Sequence, residues 1–176
     1  MGNFVHLHVH TEYSILDGAT KIAVAAKKAK ALGMPALAIT DHGNMYGAVN
    51  FFDACEKEGI KAIIGTEFYV CDDLTVKSGK AKLNHLVLLC KNEEGYKNIS
   101  LLNAIAFRDG FYYKPRIDLK TLEAHHEGLI CLSACLAGDI PQAILNRNFD
   151  EAERLVLWFK NLFGEDFYLE MQNHML

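Results

Sequence analysis

Short apolar runs alternate along this chain with longer amphipathic stretches. The first run, Phe4-Val5-His6-Leu7-His8-Val9-His10, reads as a strand. Successive strand side chains leave opposite faces, so Val5, Leu7 and Val9 share one face, and His6, His8 and His10 share the other. Lys21 to Leu32 reads as an Ala/Lys-rich helix, with Gly33 and Pro35 as stop signals. Ala36 to Thr40 is a short apolar strand, and a helix follows from about Tyr46 to Glu58, ended by Gly59. Lys61 to Gly65 is the next strand, with Glu67 to Val70 continuing it past a kink. Asp72 to Lys82 is polar and reads as a loop or hairpin excursion. His85 to Cys90 is a buried strand, Glu93 to Phe107 a helix, and Gly128 to Leu132 a further strand. Helices from about Ile140 to Leu145 and Phe149 to Phe163 precede a last extended segment, Phe167 to Glu170. Apolar strands separated by helices predict an α/β fold of parallel strands with crossover helices.

Composition narrows the class. The chain has 176 residues, 51% of them hydrophobic, which is enough for one domain with a real core. A net charge of −4 excludes a surface built to bind polyanions, so any nucleic-acid contact is local or made through metal ions. No run of about 18 apolar residues is present, so no membrane span or membrane partner is expected. The five cysteines, Cys55, Cys71, Cys90, Cys131 and Cys135, form no C-x-x-C pair. Four lie in or beside apolar runs, which suits reduced thiols and a cytoplasmic location.

Chemistry in folds of this class collects at the C-terminal ends of the strands. His8 and His10 end the first strand, Thr40-Asp41-His42-Gly43-Asn44 the second, and Gly65-Thr66-Glu67 lies near the end of the third. Ser133-Ala134-Cys135 follows the strand ending at Leu132. Four strand ends thus bring imidazole, carboxylate and thiol to one rim, a donor set for zinc, manganese or iron. Each member also has a plain structural use. Asp17 could serve the Asp-Gly turn, and Asp41 could cap a helix or orient an imidazole. Glu67 in an apolar run would be costly without a partner, which favours it as a ligand. Cys135 could be a small buried thiol. His85 begins its strand rather than ending it, and on that geometry alone is a structural histidine. His6 reads as a core or supporting residue, and His125, His126 and His174 as surface residues.

The phrases His6-Leu7-His8-Val9-His10-Thr11-Glu12-Tyr13-Ser14-Ile15-Leu16-Asp17-Gly18, Ala38-Ile39-Thr40-Asp41-His42-Gly43-Asn44-Met45-Tyr46-Gly47 and Gly65-Thr66-Glu67 resemble the polymerase-and-histidinol-phosphatase (PHP) family. Further stretches, Asn84 to Leu89, Gly95 to Ile99, Gly110 to Asp118 and Gly128 to Leu136, resemble the PHP domains that open the alpha subunits of bacterial replicative DNA polymerases. The resemblance covers essentially the whole chain. It implies a distorted, TIM-like seven-stranded β/α barrel with up to three divalent ions at the strand ends. By motif, His8, His10, Asp17, His42, Glu67, His85 and Cys135 would be ligands, with Asp17, Glu67 and His85 carrying the catalysis. The family's last motif, an Asp-x-His element with two further ligands, is expected beyond Leu176. The barrel is therefore expected to be incomplete at the C-terminus, with partial metal binding and little activity.

Clustered divalent ions bind a scissile phosphate, lower the pKa of a bridging water and stabilise the leaving oxygen. In a polymerase that chemistry is 3′→5′ exonuclease proofreading, with the DNA 3′ end or backbone, the remaining polymerase chain, a proofreading exonuclease subunit and a sliding clamp as partners. Lys114 and Arg116, beside Tyr112 and Tyr113, could hold the DNA backbone while Tyr113 stacks a frayed base. The same loop also reads as a packed tyrosine cluster with solvated basic tips. Two other functions remain open: a free-standing phosphatase on a small phosphomonoester, and a non-catalytic docking module of the polymerase.

Overall fold

The computed structural model describes residues 4–78 and 83–173. Twelve regular elements follow in order: α1 (Ile22–Ala31), β1 (Ala36–Ile39), α2 (Ala48–Glu58), β2 (Lys61–Cys71), β3 (Asn84–Cys90), α3 (Glu93–Arg108), β4 (Arg116–Asp118), α4 (Leu119–Ala124), β5 (Leu129–Leu132), α5 (Asp139–Leu145), α6 (Phe149–Phe163) and β6 (Phe167–Tyr168). The strands form one open six-stranded sheet ordered β1-β2-β3-β5-β6, with β4 joined to β2. An open α/β sheet of this kind fits the expected incomplete barrel.

The stop signals act where the sequence places them. α1 ends before Gly33 at φ 75°, and α2 ends at Gly59, whose φ of 66° turns the chain left-handed. β2 runs unbroken through Gly65, where a kink was expected. Its first half pairs in parallel with β1 and its second half antiparallel with β3.

Not every strand is parallel. β3 runs antiparallel to both β2 and β5, and the described residues of the link from β2 to β3 form no crossover helix. That reversal removes the objection to His85. The first residues of β3 lie beside the last residues of β2, with Tyr69 opposite His85. β4 and α4 were missed by periodicity, being only three and six residues long. Asp118 was their one local signal: its carboxylate caps α4 by accepting from Thr121 N at 2.8 Å.

The segment 4–10 is not a regular strand. It runs parallel to β1, with His6 O accepting from Ala38 N at 3.0 Å and Val9 O from Thr40 N at 2.9 Å. Three steps of this segment span two of β1, so the chain bends, and the bend falls at His8. His6 is exposed there, edge-on to Phe4 with ring centroids 4.8 Å apart, rather than lying in the core.

The core lies mainly outside the sheet. Phe68, Leu86, Leu88, Leu102, Leu155 and Phe159 pack the β2-β3-β5 face against α3 and α6. Leu37, Ile39, Phe51 and Cys55 seal α1 and α2 over β1. On the inner face, Ala38, Val87, Leu89 and Leu132 form a smaller floor. Above that floor opens a cavity of about 1230 Å³ reached by His8, His10, His42, Glu67, His85, Cys135 and Glu170.

Candidate metal centre

Glu67 is the hub of this cavity. Midway along β2, it faces inward and is 1% exposed. Its Oε1 lies 3.2 Å from His8 Nε2 and 3.1 Å from His85 Nδ1, and its Oε2 lies 3.3 Å from His10 Nε2 and 2.7 Å from His42 Nδ1. Two triads, His8–His10–Glu67 and His42–Glu67–His85, therefore share one carboxylate.

Each imidazole is placed by its own local structure. His42 follows β1, and the chain can turn after it because Gly43 adopts φ 61°, where a Cβ would meet the Pro115 ring at 2.8 Å. Gly43 N then donates to Glu67 O at 2.8 Å, tying this loop to β2. His10 is held through Ser14, whose Oγ sits 3.2 Å from His10 Nδ1. Asp41 fixes that loop: it accepts from Thr11 N at 2.6 Å, Thr11 Oγ1 at 2.7 Å and Ser14 Oγ at 2.7 Å. Asp41 therefore caps no helix, and acts on His10 through Ser14 and through the Thr11 backbone.

Cys135 arrives on a strained turn. Ala134 holds φ 62°, a conformation costly for a residue with a Cβ and concentrated at functional sites. Its result is to aim Cys135 Sγ to within 3.5 Å of His85 Nδ1 and 3.7 Å of Glu67 Oε1. Cys55 and Cys131 are buried in the outer core, and Cys71 Sγ donates to Ile117 O. Cys90 closes β3 at the end opposite His85. Asp17 stands at the mouth, largely exposed, with Oδ2 2.9 Å from His42 Nε2.

The electrostatics follow from one buried anion among imidazoles. Burial opposes charge on His8, but Glu170 and Glu67 outweigh it and raise its pKa to about 10. His85 rises to about 9 against the same burial, through Cys135 and Glu67. His42 is raised too, since Glu67 and Asp17 overcome its burial. His10 goes the other way, lowered by burial and by the neighbouring His42. Burial pushes Glu67 toward protonation, yet the imidazoles of His42, His8 and His85 hold it far below the usual carboxylate range.

His42 Nδ1 and Glu67 Oε2 are 2.7 Å apart, yet they do not align as a hydrogen bond, and both are buried without a hydrogen-bond partner. Two unpartnered donor atoms facing shared space are what a cation relieves. An ion held tetrahedrally by nitrogen and oxygen at about 2.0–2.1 Å keeps its ligand atoms about 3.3–3.4 Å apart. The His8–Glu67 and His10–Glu67 pairs, at 3.2 and 3.3 Å, already stand near that spacing. The donor set fits a divalent ion.

The family model for the PHP domain matches residues 6–174. The chain belongs to the PHP family. Among curated proteins it is 51% identical to a DNA polymerase III subunit alpha of Borreliella burgdorferi, over 97% of this chain and 15% of that protein. A Treponema pallidum protein of the same name is 48% identical over 99% of this chain, and a Helicobacter pylori one 46% over 97%. The chain thus spans about 15% of the length of these curated relatives. A solved amidohydrolase from Chromobacterium violaceum overlays 59% of this chain and 34% of its own at a TM-score of 0.41 and 23% identity, from which nothing about chemistry follows.

Within this PHP domain every metal-donor position expected from the sequence lies in or at the mouth of one cavity. The basic loop divides. Lys114 Nζ sits 5.1 Å over the Tyr69 ring, and Tyr69 in turn stacks on His42 at 5.9 Å and meets His85 edge-on at 5.3 Å. Tyr113 is 81% exposed. Arg116 is a correction: it is 0% exposed, and its guanidinium donates to the carbonyls of Gly110, Leu74 and Val76 at 2.7, 3.2 and 3.1 Å. It ties loops together and presents nothing to DNA. His125 and His126 lie just after α4, partly buried and away from the cavity, and His174 lies outside the described residues.

One site residue escaped sequence reasoning. Glu170 Oε1 accepts from His8 Nδ1 at 2.8 Å. The signal was a carboxylate closing the last extended segment, Phe167 to Glu170.

Proposed function

We propose that this chain is the metal-dependent phosphoesterase domain of a replicative DNA polymerase and that it trims a DNA 3′ end. The observation that carries the reading is the pair of imidazole triads sharing the buried carboxylate of Glu67. The names of the relatives supply the polymerase setting, with the rest of that chain, a proofreading exonuclease subunit and a sliding clamp as partners. Up to three ions of zinc, manganese or iron are the intended occupants of the complete domain, and such ions bind phosphate oxygens and make water a nucleophile at neutral pH. The ligands are His8, His10, Asp17, His42, Glu67, His85 and Cys135.

The chain's own groups divide the work. Glu67 supplies the fixed anion common to both triads, and His85 with Cys135 closes the inner side. Asp17, the exposed carboxylate of the cluster, is placed to take a proton from an incoming water. Lys114 offers an ammonium beside the rim for the phosphate backbone, and Tyr113 a free ring face for a terminal base. Among the described residues no helix is long and apolar enough to cross a membrane. Free thiols at all five cysteines suit the cytoplasm.

The test is metal analysis of the purified protein, with nuclease assays on single-stranded and mismatched primer ends under zinc or manganese. A chain extended past Leu176 through an Asp-x-His element is expected to gain both metal and 3′ cleavage, and His10→Ala to abolish the gain. A fully metallated extended protein that never cleaves a 3′ end would make this a docking module instead.

A further inference from the structure

His8, like His42, has carboxylates on both sides, but its outer partner Glu170 lies outside the donor set expected from the sequence. Glu67 Oε1 lies 3.2 Å from Nε2, and Glu170 Oε1 lies 2.8 Å from Nδ1. An ionised carboxylate only accepts hydrogen bonds, so a neutral His8 satisfies one side and leaves the other facing a lone pair. With a cation beside Glu67 the conflict disappears: Nδ1 keeps its hydrogen for Glu170, and the Nε2 lone pair turns to the cation. Glu170 is itself held in place. Its backbone N donates to Ser133 Oγ at 2.8 Å, and Gln172 Nε2 donates to Oε1 at 2.7 Å. Ser133 is 4% exposed and opens the turn that delivers Cys135. The same turn therefore sets a thiol on one side of the cavity and a carboxylate on the other.

We propose that Glu170 is the positioning residue of this centre: it fixes the Nδ1–H tautomer and ring orientation of His8, so that Nε2 is the nitrogen offered to the metal. The arrangement is a carboxylate–imidazole–metal relay, in which the outer carboxylate makes the imidazole a better donor. This rests on the reading of the cavity as a metal centre, with zinc alone as the probe.

The experiment is a double-mutant cycle on zinc affinity, read by calorimetric titration of the metal-free proteins. Glu170→Ala is expected to weaken zinc binding about 10–100-fold. Glu170→Gln, which keeps an acceptor for Nδ1–H, should recover most of that loss. In the His8→Ala background, Glu170→Ala should cost nothing further. Nitrogen-15 spectra of the zinc-loaded protein give an independent reading: His8 should coordinate through Nε2 in the unaltered chain and through a mixture of both nitrogens in Glu170→Ala. Additive losses from His8→Ala and Glu170→Ala, or an unchanged His8 signature in Glu170→Ala, would overturn the assignment. An unaltered chain that takes up no zinc at all would instead overturn the metal-centre reading beneath it.

Discussion

Glu67→Gln is the sharpest perturbation available, because it keeps size and shape while removing the charge and turning one acceptor oxygen into a donor. Glu67 belongs to both triads, so one substitution takes an anionic donor from each. Losing an outer partner that merely orients a ligand costs 10–100-fold in metal affinity. Losing the donor itself should therefore cost more than about 100-fold, which is over about 2.8 kcal/mol at 1.4 kcal/mol per tenfold. A second effect follows from burial. With the anion gone, His8 and His85 lose a partner that holds them up at about 10 and about 9, so both should titrate nearer the ordinary histidine range. Zinc affinity is read by competition with a chelator at fixed pH, and the imidazoles by proton NMR titration of the metal-free protein. Circular dichroism confirms that the variant is folded. Zinc affinity within threefold of the unaltered chain, at the same stoichiometry, would refute the bridging role and leave Glu67 as a counter-ion only.

Three further outcomes are expected. In the metal-free protein the His8 and His85 pKa values lie above the unfolded value of 6.5, so their stabilisation is full below about pH 6.5 and lost as pH climbs through about 9 to 10. Urea midpoints should fall across that window while zinc affinity rises, since metal and protons compete for the same nitrogens; a midpoint that rises with pH there would contradict the assignment. Arg116→Met should lower stability by roughly 2–4 kcal/mol, since it strips donors from three carbonyls, whereas Lys114→Ala should weaken single-stranded DNA binding with little change in the urea midpoint. Finally, zinc should slow alkylation of Cys135 and leave Cys131, fully buried in the outer core, unreactive with or without metal.

The sequence revealed most where a residue's role depends on local placement. The glycine stops of α1 and α2 and the long helices α3 and α6 stand close to where their patterns predict them. The position of His42 followed from the end of β1, whereas Glu67 lies midway along β2 and was marked instead by the cost of a lone carboxylate in an apolar run. What stayed hidden depends on direction and on distant partners. His85 looked misplaced because the antiparallel direction of β3 leaves no periodic trace in β3 itself. Arg116 looked like a basic tip, yet its guanidinium reaches carbonyls some 40 residues away, contacts no local pattern encodes. Segment 4–10 alternates as a strand should, but the extra step beside β1 bends it at His8 and leaves His6 in solvent.

The bond between His8 and Glu170 joins residues 162 positions apart. Closing a loop of that length costs about 4–5 kcal/mol in chain entropy, more than a single hydrogen bond returns. The pairing therefore cannot guide folding and forms only once the intervening sheet has brought its ends together. Until then the centre lacks an oriented His8, so a partly synthesised or partly unfolded chain holds metal poorly. On the proposed metal-centre reading, assembly of the site is thereby coupled to completed folding, and a bound ion would act as a clasp on the two ends of the sheet, slowing their separation.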